Sequence, residues 1–211
     1  YTVSAVYISV REETGIKTIA DLTGKKFSPG FRGTATEKMT EATLTHLGVK
    51  AEWVRGGASD LVDAIKDKRI VGYAKAADGF RLDASMMDIA TATPLRILPY
   101  SDDQVKKVKE QYPYFPWLRV PAGSIKGLGE FWTEGVVVGF AAPKSFPNDL
   151  AYKLVKAGME DKEHQKGAFK GLAEDMAKVT LELSLSPLHA GAIKYYREKG
   201  LKIPDNLVPP E

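Results

Sequence analysis

Cysteine is absent from all 211 positions, which excludes disulfides, thiolate metal ligands and thiol nucleophiles. No apolar run approaches the ~18 residues of a membrane-crossing helix. The opening YTVSAVYISVREETG has neither an initiator Met nor the charged-then-apolar layout of a signal peptide, which reads as a processed chain or a fragment. Charge of one sign is not concentrated anywhere. Thirty Lys and Arg stand against 27 Asp and Glu, a formal +3 without a basic block, so nucleic acid is set aside as a partner while a small anionic ligand stays compatible. Neither GxGxxG nor a Walker loop occurs, so nucleotide hydrolysis has no support. Histidine occurs three times. His46 sits late in a helix before Gly48, His164 lies among charges, and His189 stands at a helix start beside Pro187, where a structural hydrogen bond is favoured over catalysis. No metal site or cofactor is expected.

What is present is alternation. VSAVYISVR, residues 3–11, reads as a strand, IADL as a helical turn stopped at Gly24, and 26–28 as a second strand. Helices follow over 36–47, 59–66 and 82–91, with strands over 51–54 and 70–76 and at LRILPY between and after them. This spacing predicts an α/β fold with a mostly parallel sheet flanked by helices, whose ligands sit beyond the carboxyl ends of the strands. After Tyr100 come a charged helix, which Asp102 and Asp103 would cap, and a segment rich in proline and aromatics. That segment reads as a packed crossing, with Trp117 and Arg119 as outside candidates for ligand contact. A strongly apolar strand is expected over 135–143, then helices opening at Asn148 or Asp149 and covering 162–176 and 187–199. The first strand and the 135–143 strand are expected to pair in a sheet of their own, making the middle of the chain an inserted lobe and the whole a two-lobed molecule with a cleft.

The stretch SPGFRGTATEKM, residues 28–39, carries the clearest chemistry. Thr34 and Glu37 match a capping box. Gly30 and Gly33 let the backbone approach a guest, helix N-terminal amides favour an anion, and Arg32 adds a forked donor suited to a carboxylate. The two readings are compatible. AKAADGFRLD, residues 74–83, puts Gly79, Phe80 and Arg81 at a second strand end, a further place for ligand contacts or an ordinary capped helix.

Three segments carry a family resemblance. ETGIKTIADLTGKKFSPG, EQYPYFPWLRVPAGSIKG and SPLHAGAIKYYREKG together resemble the TAXI group of extracytoplasmic solute receptors that serve TRAP transporters. The ending PLHAGAIKYYREKG, close to that group's PLHPGAIKYYKEKG, is the most specific of the three. The resemblance implies a type II periplasmic-binding-protein fold with two lobes: residues 1–25 and 129–211 form the first, lacking its N-terminal part, and 26–128 the second, with hinges near 23–26 and 127–133. It implies a monomeric periplasmic receptor, not an enzyme, that delivers a small anionic or zwitterionic ligand to the membrane subunits of a TRAP transporter. The ligand class would be glutamate, glutamine or a 2-oxo acid, and members of the group carry a signal peptide. Arg32, Gly33, Thr34 and Thr36 would take a ligand carboxylate, with Gly79, Phe80 and Arg81 approaching from the neighbouring strand end. FRGTATE stands where relatives have a GSGTE-like loop, and Ile125 where they often have tyrosine. The rival readings are an enzyme on the same two-lobed fold and the ligand-sensing domain of a regulator.

Overall fold

The computed structural model describes residues 2–161, 163–168 and 175–210. The chain forms two compact units, one of residues 4–136 and the other of residues up to 3 together with 137–211. The larger unit follows the predicted alternation as far as α4 and adds a strand, β6, in the segment expected to be only a packed crossing: β1 (Thr2–Arg11), β2 (Lys26–Ser28), α1 (Ala35–His46), β3 (Glu52–Trp53), α2 (Ala58–Lys66), β4 (Gly72–Asp78), α3 (Ala84–Ala92), β5 (Leu95–Ile97), α4 (Asp102–Gln111), β6 (Trp117–Val120) and β7 (Phe131–Val138). The strands make one seven-stranded sheet in the order β3-β2-β4-β1-β7-β6, with β5 paired to β1.

The protein is thus α/β, but its sheet is mixed. β2 runs parallel to β3 and β4, whereas β1 is antiparallel to β4 and β5, and β6 to β7. β1 and β7 are neighbours as expected, yet they share the sheet of β2 and β4 and do not form a second one. The reason is register: Ala5 to Val10 pair residue by residue with Ala77 to Gly72. That pairing holds the N-terminal segment inside the larger unit. The units therefore part at 3/4 and 136/137, while the sequence reading divides the chain at 25/26 and 128/129.

Period-two alternation along β1 sorts its side chains onto two faces. Val6, Ile8 and Val10 join Phe27, Met39, Leu44, Val105 and Val108 in one core with α1 and α4. Burying each large side chain there is worth about 1.5–3 kcal/mol. Tyr7 and Tyr73, both fully buried, belong to the opposite face, where the Tyr73 hydroxyl reaches Ser85 of α3 at 3.4 Å. β7 begins four residues earlier than expected because 131–134 pair with 120–117, and it stops at Val138, ahead of the fully exposed Phe140. Ser101, not Asp102 or Asp103, caps α4 by accepting the Gln104 N–H, and Asp102 instead accepts the Trp132 indole N–H at 2.6 Å.

In the smaller unit lie α5 (Asn148–Glu160), α6 (His164–Ala168), α7 (Met176–Leu183) and α8 (Ala190–Glu198). Pro147 precedes α5 and no side chain caps it, contrary to the cap expected at Asn148 or Asp149. The helix predicted over 162–176 falls partly outside the described residues. α8 packs its start against the start of α5, since a Cβ on Gly191 would come within 2.2 Å of the Asn148 carbonyl oxygen. Leu188, Ile193, Tyr195, Tyr196 and Leu207 form the core beneath.

Candidate functional site

β2 and β4 are adjacent and parallel, so their carboxyl ends lie at the same edge of the sheet. Each strand leads through a glycine-containing loop into a helix N-terminus, α1 after β2 and α3 after β4. A parallel pair of strands ending this way gathers backbone amides and helix dipoles where a ligand can meet them.

The α1 loop is held by its own side chains. Thr34 is the N-cap: its hydroxyl accepts the Glu37 N–H at 3.2 Å and donates to the Phe31 carbonyl at 2.7 Å. The other half of the expected capping box is displaced by one residue. Glu37 Oε2 accepts from the Gly33 N–H at 2.6 Å, because the Thr34 N–H is already given to the Phe31 carbonyl. Glu37 Oε1 lies 2.5 Å from Arg55, whose other nitrogen meets Glu41 at 2.5 Å. The Arg55 hydrogen bond first, then the Gly33 amide, hold the Glu37 carboxyl below the usual carboxylate range. Gly30 adopts φ +147°, and a Cβ there would come within 2.7 Å of the Glu37 nitrogen, so only glycine lets the loop close over the helix start.

The predicted residues divide accordingly. The Gly33 amide is committed to Glu37, and the Thr34 hydroxyl to the cap. Thr36 is buried in the first turn of α1, and Arg32 is exposed, its backbone N–H bonded to Gly56 and its side chain free of hydrogen bonds and ion pairs. On the second loop Gly79, at φ +65°, accepts the Ala5 N–H at 3.2 Å, Phe80 is half-buried and Arg81 exposed. No hydrogen bond or ion pair joins 79–81 to 32–36 among the described residues. Of the outside candidates, Trp117 is buried on β6 against Tyr100, and Arg119 stacks on Trp132 at 4.5 Å.

The link between the two loops comes from a residue the sequence reading passed over. Lys75, on β4, places its ammonium 5.1 Å from the centre of the Phe31 ring and 2.8 Å from Asp83 Oδ2, and it donates to the Ala76 carbonyl at 3.0 Å. Asp83 is the N-cap of α3; its other oxygen accepts from the Met86 N–H at 2.9 Å and the Ser85 hydroxyl at 2.8 Å. Phe31 also lies 6.3 Å from Tyr73. A lysine inside the apolar strand GYAKAAD was the available signal, since period two places it on the same face as Tyr73.

A second polar group was also missed. Glu134 of β7 is wholly buried, accepts from the Thr40 hydroxyl of α1 at 2.7 Å, and has its carboxyl pushed up to about 7 by burial, against the lowering effect of Thr43, Thr40 and Tyr100. Elsewhere, a groove of about 520 Å³ over α8, lined by Ile193, Lys194, Arg197 and Val208, contains none of the candidate residues. The imidazoles have structural partners: His46 the Lys107 carbonyl, His164 Asp161, and His189 the Gly191 N–H that its Nδ1 accepts while capping α8. No group of three or more His, Asp and Glu able to hold a metal occurs among the described residues, and none of their helices is long and apolar enough to cross a membrane.

Residues 1–200 match the NMT1-like family, and the chain belongs to that family. Among solved structures it is similar to a polar amino acid ABC uptake transporter substrate binding protein from Streptococcus thermophilus, at 16% identity over 86% of this chain and 60% of that one, with a TM-score of 0.38. It is also similar to the periplasmic aliphatic sulphonate binding protein SsuA from Escherichia coli (23% identity, 44% of this chain, 31% of that one, TM-score 0.34). A third likeness is to an ancestral arginine-binding protein bound to glutamine (16% identity, 54% and 55% of the two chains, TM-score 0.34). The chain thus spans between about a third and three fifths of the length of these proteins.

Proposed function

We propose that the protein is an extracytoplasmic solute-binding receptor of a TRAP-type transport system. It captures a small carboxylate or amino acid of the glutamate, glutamine or 2-oxo acid class and hands it to membrane subunits. The observation that carries this reading is the edge of the sheet toward which β2 and β4 run in parallel, β4 reaching to Asp78 beyond the Tyr73 that pairs with the last residue of β2, each strand feeding a helix N-terminus. On one side stand the α1 turn and the free guanidinium of Arg32, and on the other Asp83, Lys75 and the Gly79 turn. The TAXI-like motifs at 13–30, 110–127 and 186–200 support the same reading.

In this reading the protein has the fold of a type II periplasmic binding protein, and the residues named here lie in its 4–136 unit. Arg32 and the first turn of α1 at Thr36 receive the ligand carboxylate, with Gly33 and Thr34 shaping the loop. Gly79, Phe80 and Arg81 approach from the second loop. A ligand that binds one conformation of the receptor more tightly than another shifts the population by that difference in affinity. No chemical step is involved.

A thermal-shift screen of the refolded protein against amino acids and small dicarboxylates tests the proposal. A ligand present at 100 times its Kd adds ~2.7 kcal/mol of stability, a clear rise in melting temperature. A selective rise with one member of the panel supports the receptor reading. A flat response across glutamate, glutamine and 2-oxoglutarate overturns the ligand class.

A further inference from the structure

The Lys75 ammonium is held by three groups of different character: a carboxylate (Asp83, 2.8 Å), a backbone carbonyl (Ala76, 3.0 Å) and the face of an aromatic ring (Phe31, 5.1 Å). These are the groups that recognise a primary ammonium in any small molecule: a charge-assisted acceptor, a neutral acceptor and a ring quadrupole. The Lys75 and Asp83 side chains are each only 20% exposed, so the pair sits in a partly desolvated recess. The recess is further lined by the hydroxyls of Ser85 and Tyr73, 3.4 Å apart. It lies at the strand edge assigned above to the ligand, between the two loops.

Two features single this pair out from the other ion pairs of the molecule. Most of those join exposed side chains, such as Arg69 to Asp67 or Lys153 to Asp149, where solvent screens the attraction. The Arg55–Glu37 pair has a structural purpose, since Glu37 also closes the α1 loop. Lys75 by contrast is not needed for the cap: Asp83 caps α3 through Oδ1, and its Oδ2 is the oxygen that Lys75 meets. Removing the lysine from Asp83 would leave the cap in place.

We propose that Phe31, Asp83 and the Ala76 carbonyl form an ammonium-receiving subsite, that the Lys75 side chain occupies it in the ligand-free protein, and that the receptor takes α-amino acids in preference to the matching 2-oxo acids. This rests on the receptor reading and narrows its ligand class. When an amino acid binds, its ammonium replaces that of Lys75 against Asp83 and Phe31. Lys75, freed from Asp83, turns to the ligand carboxylate beside Arg32. One ion pair is exchanged for two, and no charge is left without a partner. A 2-oxo acid offers no cation to Asp83, so its carboxylate must draw Lys75 away and leave Asp83 unpaired, the costly case for a partly buried charge.

The test compares matched pairs by calorimetric titration: L-glutamate against 2-oxoglutarate, and L-leucine against 4-methyl-2-oxopentanoate. It uses the wild type, Asp83→Asn and Phe31→Leu. Asn is as good an N-cap as Asp, so Asp83→Asn keeps α3 while removing the charge. The wild type is expected to prefer the amino acid of at least one pair, and Asp83→Asn to reduce that preference about 10- to 100-fold, the range of a charge-assisted hydrogen bond. Phe31→Leu is expected to weaken the amino acid several-fold and leave the 2-oxo acid unchanged. Unliganded melting temperatures of both variants report whether the fold is kept. If either acid binds but Asp83→Asn leaves the preference as it was, or the wild type has none, the ammonium subsite is overturned while the receptor reading stands. If no compound of either pair binds, the subsite falls together with the ligand class it narrows.

Discussion

Glu37 accepts the Gly33 backbone N–H at 2.6 Å while its other oxygen meets Arg55 at 2.5 Å, so the loop whose composition suggests an anion site already holds the protein's own carboxylate. A loop with a resident anion can still take a ligand at its unclaimed donors, but its stability and its binding must respond to different substitutions.

Glu37→Gln is expected to lower stability by about 1–2 kcal/mol at pH 7, because it removes the charge from two hydrogen bonds while keeping an oxygen in place. The folded-state pKa of Glu37 is below its ordinary value, so its contribution is present above the unfolded pKa of 4.5 and is lost as pH falls through the lower folded value. Urea denaturation of both proteins from pH 7 to pH 3 should show the gap narrowing only below about pH 4.5. A gap independent of pH would mean that the charge of Glu37 contributes nothing.

The buried Glu134 should act in the opposite sense. Its folded pKa is raised to about 7, so folding favours the protonated form. Stability is full below the unfolded pKa of 4.5, declines as pH rises from there through about 7, and levels off beyond. Glu134→Gln, which keeps the shape and accepts from Thr40, is expected to flatten that decline. Melting temperatures of the two proteins at pH 5 and pH 8 check it: the variant should gain on the wild type at pH 8.

Arg32 and Arg55 separate binding from structure. Arg32→Ala should leave the melting temperature within about 1 °C, since the side chain is exposed and unbonded, yet weaken a carboxylate ligand several-fold. Arg55→Ala should do the reverse, costing stability through Glu37 and Glu41 with a smaller effect on affinity. Equal ligand Kd for wild type and a folded Arg32→Ala would remove Arg32 from the site.

Gly30→Ala probes the loop backbone. At φ +147°, with its added Cβ 2.7 Å from the Glu37 nitrogen, the substitution is expected to cost more than ~2 kcal/mol. Gly79→Ala, with nothing within 4 Å of the added Cβ, should cost about 1 kcal/mol from its φ of +65° alone. Chemical denaturation of the pair distinguishes close approach from backbone preference.

Much of the larger unit was legible from residue order, because its helices and strands announce themselves locally: Thr34 before α1, Gly48 after it, and β-branched residues along β1. Partners were not legible. That β1 runs antiparallel to β4 and shares one sheet with it depends on contacts between residues more than 60 positions apart, on which local pattern is silent. The site shows the same division. The loop at 30–37 stands out by composition, yet whether Gly33 is free for a ligand depends on Arg55, eighteen residues beyond Glu37. Lys75 and Glu134 were visible as charges in apolar strands, but only the fold says that one meets an aromatic ring and the other a threonine of α1.

The central place of β1 bears on the order in which the chain can acquire its structure. Its partners β4, β5 and β7 lie at 72–78, 95–97 and 131–138, so β1, made before all three, waits for the last of them before the sheet around it is complete. Closing such long loops is slow compared with pairing neighbours in sequence. Until residue 131 is available, the apolar stretch from Val3 to Val10 has no complete sheet to join and stays open to other contacts.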